Sequence, residues 1–272
     1  MKLRVELYPK TPHNPASTSA APDSVCSDVP AYSDVPAYSD VMVLVDVLRS
    51  ATIAPLLFDN GLEQLGISSS ISLAKKVAQH QGWLLMGERR GLPAEGFNYG
   101  NSPAELREVA MQGRSAMLVS ETASRMLPLA TQARHVLLAS LYNADAVAKV
   151  ALQHAQSHIT LICGGFSGNE DLDDTLTAGY ICARIKQHAV ELELQGAALM
   201  SMSLLKAFPD PLEALWQSHA GHYLRKLDLQ EDLAIASLVS QSRAVPTRQA
   251  IESHPQGQWH RFTAQHPPVS PA

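Results

Sequence analysis

Residues 41–45, Val-Met-Val-Leu-Val, are apolar without interruption, the mark of a strand buried on both faces. Similar runs recur at 83–86, 116–119, 135–139 and 159–163, and 64–67 reads as another strand. The alternating, charged start over 1–7 predicts a first strand. Helical patterns fill the gaps. One follows Thr52 and runs to Asn60-Gly61, where glycine suits the position after a helix end. Others span 72–80, 103–112 (entered by Pro103), 143–154 and 175–194, the last with Asp173 and Asp174 near its positive end. Further helices are expected at 203–208, 212–224 and 231–240, making the C-terminal part helical, and the polar, proline-rich stretch 256–272 is expected to form a flexible tail. Strands alternating with helices predict an α/β fold, layered α/β/α with a mostly parallel or mixed sheet, in a single domain over 1–255.

Residues 10–40 break this rhythm. They are rich in Pro, Ser, Ala and Asp, and Ser27–Tyr32 repeats as Ser33–Tyr38, with a third copy beginning at Ser39. Prolines at this density oppose helix and sheet, so the segment reads as a mobile insertion between the first two strands.

With 272 residues, 46% of them hydrophobic and 17% charged, the chain can bury a substantial core. A net charge of −5 without a basic cluster argues against nucleic acid or a membrane surface as partner. The N-terminus has no apolar core of a secretion signal, and no apolar run approaches the roughly 18 residues of a membrane span, so a cytoplasmic protein is expected. Cys26, Cys163 and Cys182 lack CxxC spacing, and the eleven histidines show no metal-binding spacing; His219 and His222 read as surface residues. Cys163 reads as a small buried residue. GxSxG, GxxxxGK[ST] and GxGxxG motifs are absent, which opposes a serine hydrolase, an ATPase or a dinucleotide enzyme.

In α/β sheets ligands bind beyond the carboxyl ends of strands. Four polar groups fall there: Asp46 and Arg49 after 41–45; Glu88 and Arg89 after 83–86; Ser120, Glu121 and Thr122 after 116–119; and Gly164, Gly165, Ser167 and Gly168 after 159–163. Carboxylates can hold a hard cation, guanidiniums grip anions bidentately, and glycines let backbone N–H groups approach a ligand. Metal-assisted chemistry on a phosphate is the reaction this set suits. Asp46 reads as a metal ligand or as a nucleophile that takes up the phosphoryl group. Arg49 and Arg89 read as anion clamps, and Glu88 as a metal ligand or general base. Asn101 and Ser102 either donate to substrate or cap the helix entered at Pro103. One of Asp173 and Asp174 is expected to cap its helix and one to bind metal. Gly164, Gly165 and Gly168 are expected to form an anion-binding loop.

The motifs carrying these residues resemble the 2-phosphosulfolactate phosphatase family, the ComB-like phosphatases of coenzyme M synthesis. Asp46-Val47-Leu48-Arg49-Ser50-Ala51-Thr52 is similar to one family motif, and Gly87-Glu88-Arg89 through Gly96-Phe97-Asn98-Tyr99-Gly100-Asn101-Ser102-Pro103 to its longest. Ser140-Leu141-Tyr142-Asn143-Ala144 resembles a third element, and Cys163-Gly164-Gly165 with Asp173–Gly179 a fourth. The likeness spans 41–246 and the first strand. The family's usual Thr-Thr-Asn-Gly-Thr-Arg is here Ser120-Glu121-Thr122-Ala123-Ser124-Arg125, which introduces a carboxylate and removes a glycine. The resemblance implies Mg²⁺-dependent hydrolysis of the phosphate ester of a small 2-hydroxy acid such as (R)-2-phospho-3-sulfolactate, and a homo-oligomer. It implies Asp46, Glu88, Asp173 and Asp174 as the metal set and places Asn143 and Arg125 with the substrate-binding residues. The altered segment leaves two alternatives: a catalytically silent anion-binding protein, or a phosphatase of wider range.

Overall fold

A computed structural model describes residues 1–8, 39–189 and 191–268. All but Ser39 and Asp40 of the expected insertion, the end of the expected tail (269–272) and Cys26 lie outside the described residues. Among the described residues ten strands join one mixed sheet: β1 (Lys2–Glu6), β2 (Val41–Val45), β3 (Gln64–Ser68), β4 (Leu84–Gly87), β5 (Ser115–Val119), β6 (His135–Ala139), β7 (His158–Cys163), β8 (Glu193–Leu194), β9 (Val245–His254) and β10 (Gly257–Gln265). Their order is β4-β5-β3-β10-β9-β6-β2-β7-β1-β8. β3, β5 and β4 form one parallel group, and β6, β2, β7, β1 and β8 another. The antiparallel ribbon β9–β10 joins them.

Helices cover both faces: α1 (Ser50–Asp59), α2 (Ile71–Gln81), α3 (Pro103–Leu106), α4 (Glu121–Met126), α5 (Ala144–His154), α6 (Leu172–His188), α7 (Gly196–Ala207), α8 (Pro211–Gln217), α9 (His219–Lys226) and α10 (Gln230–Ala236). The unbroken apolar run of β2 has its reason here. Successive side chains of a strand point to opposite faces. Val41, Val43 and Val45 pack among residues of α5 and α6, while Met42 and Leu44 pack against α1 and the β3–β5 group. β5 divides likewise, Ala116 and Leu118 facing α1, and Met117 and Val119 facing α2. None of the helices described is long and apolar enough to cross a membrane.

Several expectations change. The helix expected over 103–112 is only Pro103–Leu106, and the one expected over 175–194 runs from Leu172 to His188, with Glu193–Leu194 pairing beside β1. The single helix expected over 212–224 is two, because buried Ser218 starts a new one by accepting the Gly221 N–H. The helices expected at 203–208 and 231–240 are Gly196–Ala207 and Gln230–Ala236. The largest correction is the expected flexible tail over 256–272. Gly257–Gln265 lies mid-sheet, and Phe262 is fully buried. Its two large apolar residues, Trp259 and Phe262, are three apart because they face opposite sides of the sheet, Trp259 toward α2 and Phe262 toward α1, so the sequence shows no single apolar face. The register shift at Arg261/Phe262 leaves Gln249 of β9 as the extra residue of a bulge.

Candidate active site

The carboxyl ends of β2, β4, β5 and β7 open on one cleft of about 290 Å³. Asp46, Arg49, Ser50, Glu88, Arg90, Asn101, Ser120, Arg125, Gly165 and Ser167 line its polar side. Leu48, Phe166, Ala220, Tyr223 and Leu224 supply an apolar wall. Hydrogen bonds across strand ends hold it together: Gly164 N–H to Val45 O (2.8 Å), Glu88 N–H to Val119 O (3.3 Å), and Ser50 Oγ–H to Ser120 Oγ (2.7 Å).

Asp46 sits where β2 turns toward α1. It is 4% exposed, and its Oδ2 has no hydrogen-bond partner. Burial pushes its carboxyl up to about 6, a Ser50 hydrogen bond opposes this, and the Glu88 charge adds to it. Glu88 turns its Oε2 to the Gly91 N–H (2.6 Å) while facing the same cleft. Asn101 is buried with its Oδ1 unpartnered. Arg49 is equally buried; it donates to Asp232 Oδ2 (2.8 Å) and Gly91 O (2.7 Å). Asp232, on α10 and fully buried, also accepts from Ser102 Oγ and the Ala104 N–H. This carboxylate therefore ties the Arg49 turn, the start of α3 and the C-terminal helices together.

Expected site residues separate into two groups. Asp46, Arg49, Glu88, Asn101 and Arg125 meet in the cleft. Gly165 lines it too, and the others lie outside the cleft lining. Ser102 caps α3 through the Glu105 N–H and donates to Asp232. Arg89 forms an ion pair with Glu121 and donates to Ser69 O, so Arg90 and not Arg89 faces the cleft. Gly164 and Gly165 offer no spare N–H groups, since these donate to Val45 O and to Asp174 Oδ2. Glycine is needed there for space: a Cβ at Gly164 would stand 2.3 Å from Thr122 Cγ2, and Gly165 adopts a φ of +62°. Asp171, not Asp173 or Asp174, caps α6, and it also accepts the His219 and Ala220 N–H groups of α9. Asp174 clamps the ends of β2 and β7 by accepting from Val47 N–H (2.9 Å) and Gly165 N–H (2.8 Å). Burial, and then the Asp46 charge, push its carboxyl up to about 8. Asp173 is not among the residues lining the cleft, though its buried Oδ1 also lacks a hydrogen-bond partner; burial and the adjacent Asp174 hold its carboxyl well above the usual range. Burial also raises the Cys163 thiol, which removes it as a thiolate nucleophile.

Asn143 is fully buried away from the cleft. Its Oδ1 accepts from Ser140 N–H, and its Nδ2 donates to Leu138 O and Ala244 O, pinning the end of β6 to the start of β9. Asn143→Ala is expected to cost about 2–4 kcal/mol in denaturant unfolding, because it orphans buried backbone groups, while the KM for substrate stays unchanged. A raised KM at full stability would return Asn143 to the binding set.

The model of the 2-phosphosulpholactate phosphatase family matches residues 29–250. This chain belongs to that family. Members are phosphoric monoester hydrolases, and so is this protein. It is 36% identical to a probable 2-phosphosulfolactate phosphatase of Thermus thermophilus, over 74% of this chain and 85% of the relative. It is also 36% identical to one of Deinococcus radiodurans over 75% and 85%, and 31% identical to one of Synechococcus over 75% and 87%.

The cleft can be tested against the divalent cation expected of this phosphatase. Among the described residues no group of three or more His, Cys, Asp or Glu side chains could hold a metal by itself. Mg²⁺ does not require one, since it is usually held by one or two carboxylates together with substrate phosphate oxygens and waters. Asp46, with a buried oxygen lacking any protein partner, fits that role, and Glu88 is the neighbouring carboxylate on the cleft. Asp173, whose Oδ1 is also unpartnered, and Asp174, which accepts two N–H groups, lie outside the cleft lining.

Asp232, Arg90 and Tyr223 are site residues that no motif in the sequence marks. Asp232 is one of two acids in the first turn of α10. Arg90 stood next to the motif arginine. Tyr223 lay in an expected helix with nothing to aim it.

Proposed function

We propose that the protein hydrolyses the phosphate monoester of a small 2-hydroxy acid with Mg²⁺, converting 2-phospho-3-sulfolactate to 3-sulfolactate and phosphate. The observation that carries this is the buried, unpartnered Asp46 Oδ2 on a cleft shared with Glu88, Arg49 and Arg125. Asp46 and Glu88 would hold the cation, which would neutralise phosphoryl charge as the ester bond breaks. Arg49, fixed by Asp232, and Arg125, which donates to Thr122 Oγ1 (3.4 Å), would donate to the phosphoryl oxygens. The unpartnered acceptor Asn101 Oδ1 supports an oriented water as the attacking oxygen, with Asp46 itself as the alternative nucleophile. In the first case the water oxygen bonds phosphorus as the phosphorus–ester oxygen bond breaks, the water's proton passes to a cleft carboxylate, and the departing ester oxygen takes a proton from solvent, to which the carboxylate returns its own. Glu121 lines the cleft as well, and its charge is paired with Arg89.

The test is phosphate release from 2-phosphosulfolactate and 2-phospholactate, each with Mg²⁺ and with EDTA. Release with Mg²⁺ that EDTA abolishes is expected. Release indifferent to EDTA would sink the metal assignment, and no release from either ester would favour the silent anion-binding alternative.

A further inference from the structure

Arg90 is built into the cleft in an unusual way. Its φ is +54°, a left-handed backbone that a long side chain rarely adopts. Bonds on either side of it hold that conformation. Tyr223 Oη donates to Arg90 O (2.7 Å), Arg49 Nη2 donates to Gly91 O (2.7 Å), and Glu88 Oε2 accepts the Gly91 N–H (2.6 Å). Arg89 N–H closes the turn on Leu92 O (2.9 Å). Strained residues persist where surrounding bonds over-determine them, and they concentrate at ligand sites. The Arg90 side chain is exposed, lines the cleft, and among the described residues makes no ion pair or hydrogen bond. By contrast Arg49 is bound to Asp232 and Arg89 to Glu121.

The arginines also divide by position. Arg49, three residues beyond Asp46, is buried at the cleft, whereas Arg90 lines it as an exposed side chain. A phosphate drawn to Asp46 meets Arg49, which leaves Arg90 for a group further along the substrate. We infer that Arg90 is the specificity-determining residue that takes the anionic group on the substrate's third carbon. This rests on the 2-hydroxy acid phosphate reading above. A planar guanidinium pairs with a sulfonate or a carboxylate alike and has nothing to offer a methyl group.

Three esters sharing the phosphate and the 2-carboxylate isolate this contact: 2-phosphosulfolactate, 2-phosphomalate and 2-phospholactate. Arg90→Gln is expected to lower the ratio of kcat/KM for phosphosulfolactate over that for phospholactate by about 10- to 100-fold, through KM, the loss of one charged hydrogen-bonding pair. The phosphomalate ratio should fall alike. Arg90→Lys should recover part of it, since charge remains without the fork. Arg90→Gly adopts the left-handed turn without strain, so it should behave as the Gln variant does while keeping the wild-type thermal midpoint; it reads the contact even if the Gln variant unfolds. An unchanged ratio in the Gly variant would overturn the assignment of Arg90 alone. Hydrolysis of none of the three esters by the wild-type protein would overturn the phosphatase reading, and this inference with it.

Discussion

Asp46→Asn is expected to lower kcat about 1,000-fold or more while leaving a folded and more stable protein. The side chain is 4% exposed and Oδ2 has no partner, so an amide of nearly the same shape fits the space. What it cannot supply is the charge that would hold Mg²⁺ or the oxygen that would attack phosphorus. The stability gain has a defined pH window in the metal-free protein. Burial raises the folded-state carboxyl from 3.8 to about 6, so the folded chain binds this proton more tightly than the unfolded chain. Stability therefore falls as pH rises from about 4 through about 6, where the buried group ionises without a cation beside it. Asn carries no such cost. The thermal midpoint of the variant should exceed that of the EDTA-treated wild type at pH 7 and match it at pH 4. Wild-type turnover in Asp46→Asn would sink the assignment of this residue. A lowered midpoint at pH 7 would mean that Asp46 is satisfied within the folded chain.

Asp232→Ala should have the second largest effect, and on both stability and activity. Removing one partner of a buried ion pair costs about 3–5 kcal/mol, because the other charge stays buried alone. Here the loss also orphans the Ser102 hydroxyl and the Ala104 N–H. Chemical denaturation should show the full destabilisation. The double change Arg49→Met with Asp232→Leu separates the two roles. It removes both charges and fills the volume with apolar atoms, so most of the stability should return. Activity should not return, because the Arg49 guanidinium is gone from the cleft. Recovery of both would reduce the pair to a structural tie.

Much of the architecture was legible in the chain. Uninterrupted apolar runs such as 41–45 announce strands with a helix layer on each face, because only burial on both sides removes the need for polar alternation. Knowing where those strands stop located Asp46, Glu88 and Ser120 at carboxyl ends, and the sheet brings these ends together at one cleft. The β9–β10 ribbon was not legible. A bulge interrupts β9, the apolar residues of β10 divide between both faces, and the pairing partners lie about 193–197 residues upstream in β3 and about 110 upstream in β6.

The site divides along the same line. Residue type and position after a strand by themselves determined the class of chemistry: carboxylates, guanidiniums and an Asn grouped for an anionic ester. Which of these groups remains available to a ligand was decided by the tertiary structure alone. Arg89 and Arg90 are neighbours of one kind, yet Glu121 engages the first and the second faces the cleft. Asn101 and Ser102 are adjacent polar residues, yet Asp232, 130 positions away from Ser102, takes the second into the scaffold. Asp173 and Asp174 end as a buried acid and a clamp between two strands. A short local stretch specifies what a side chain can do through its own chemistry and backbone propensity. Whether its hydrogen bonds are already spent depends on groups that only the folded chain brings within three ångströms.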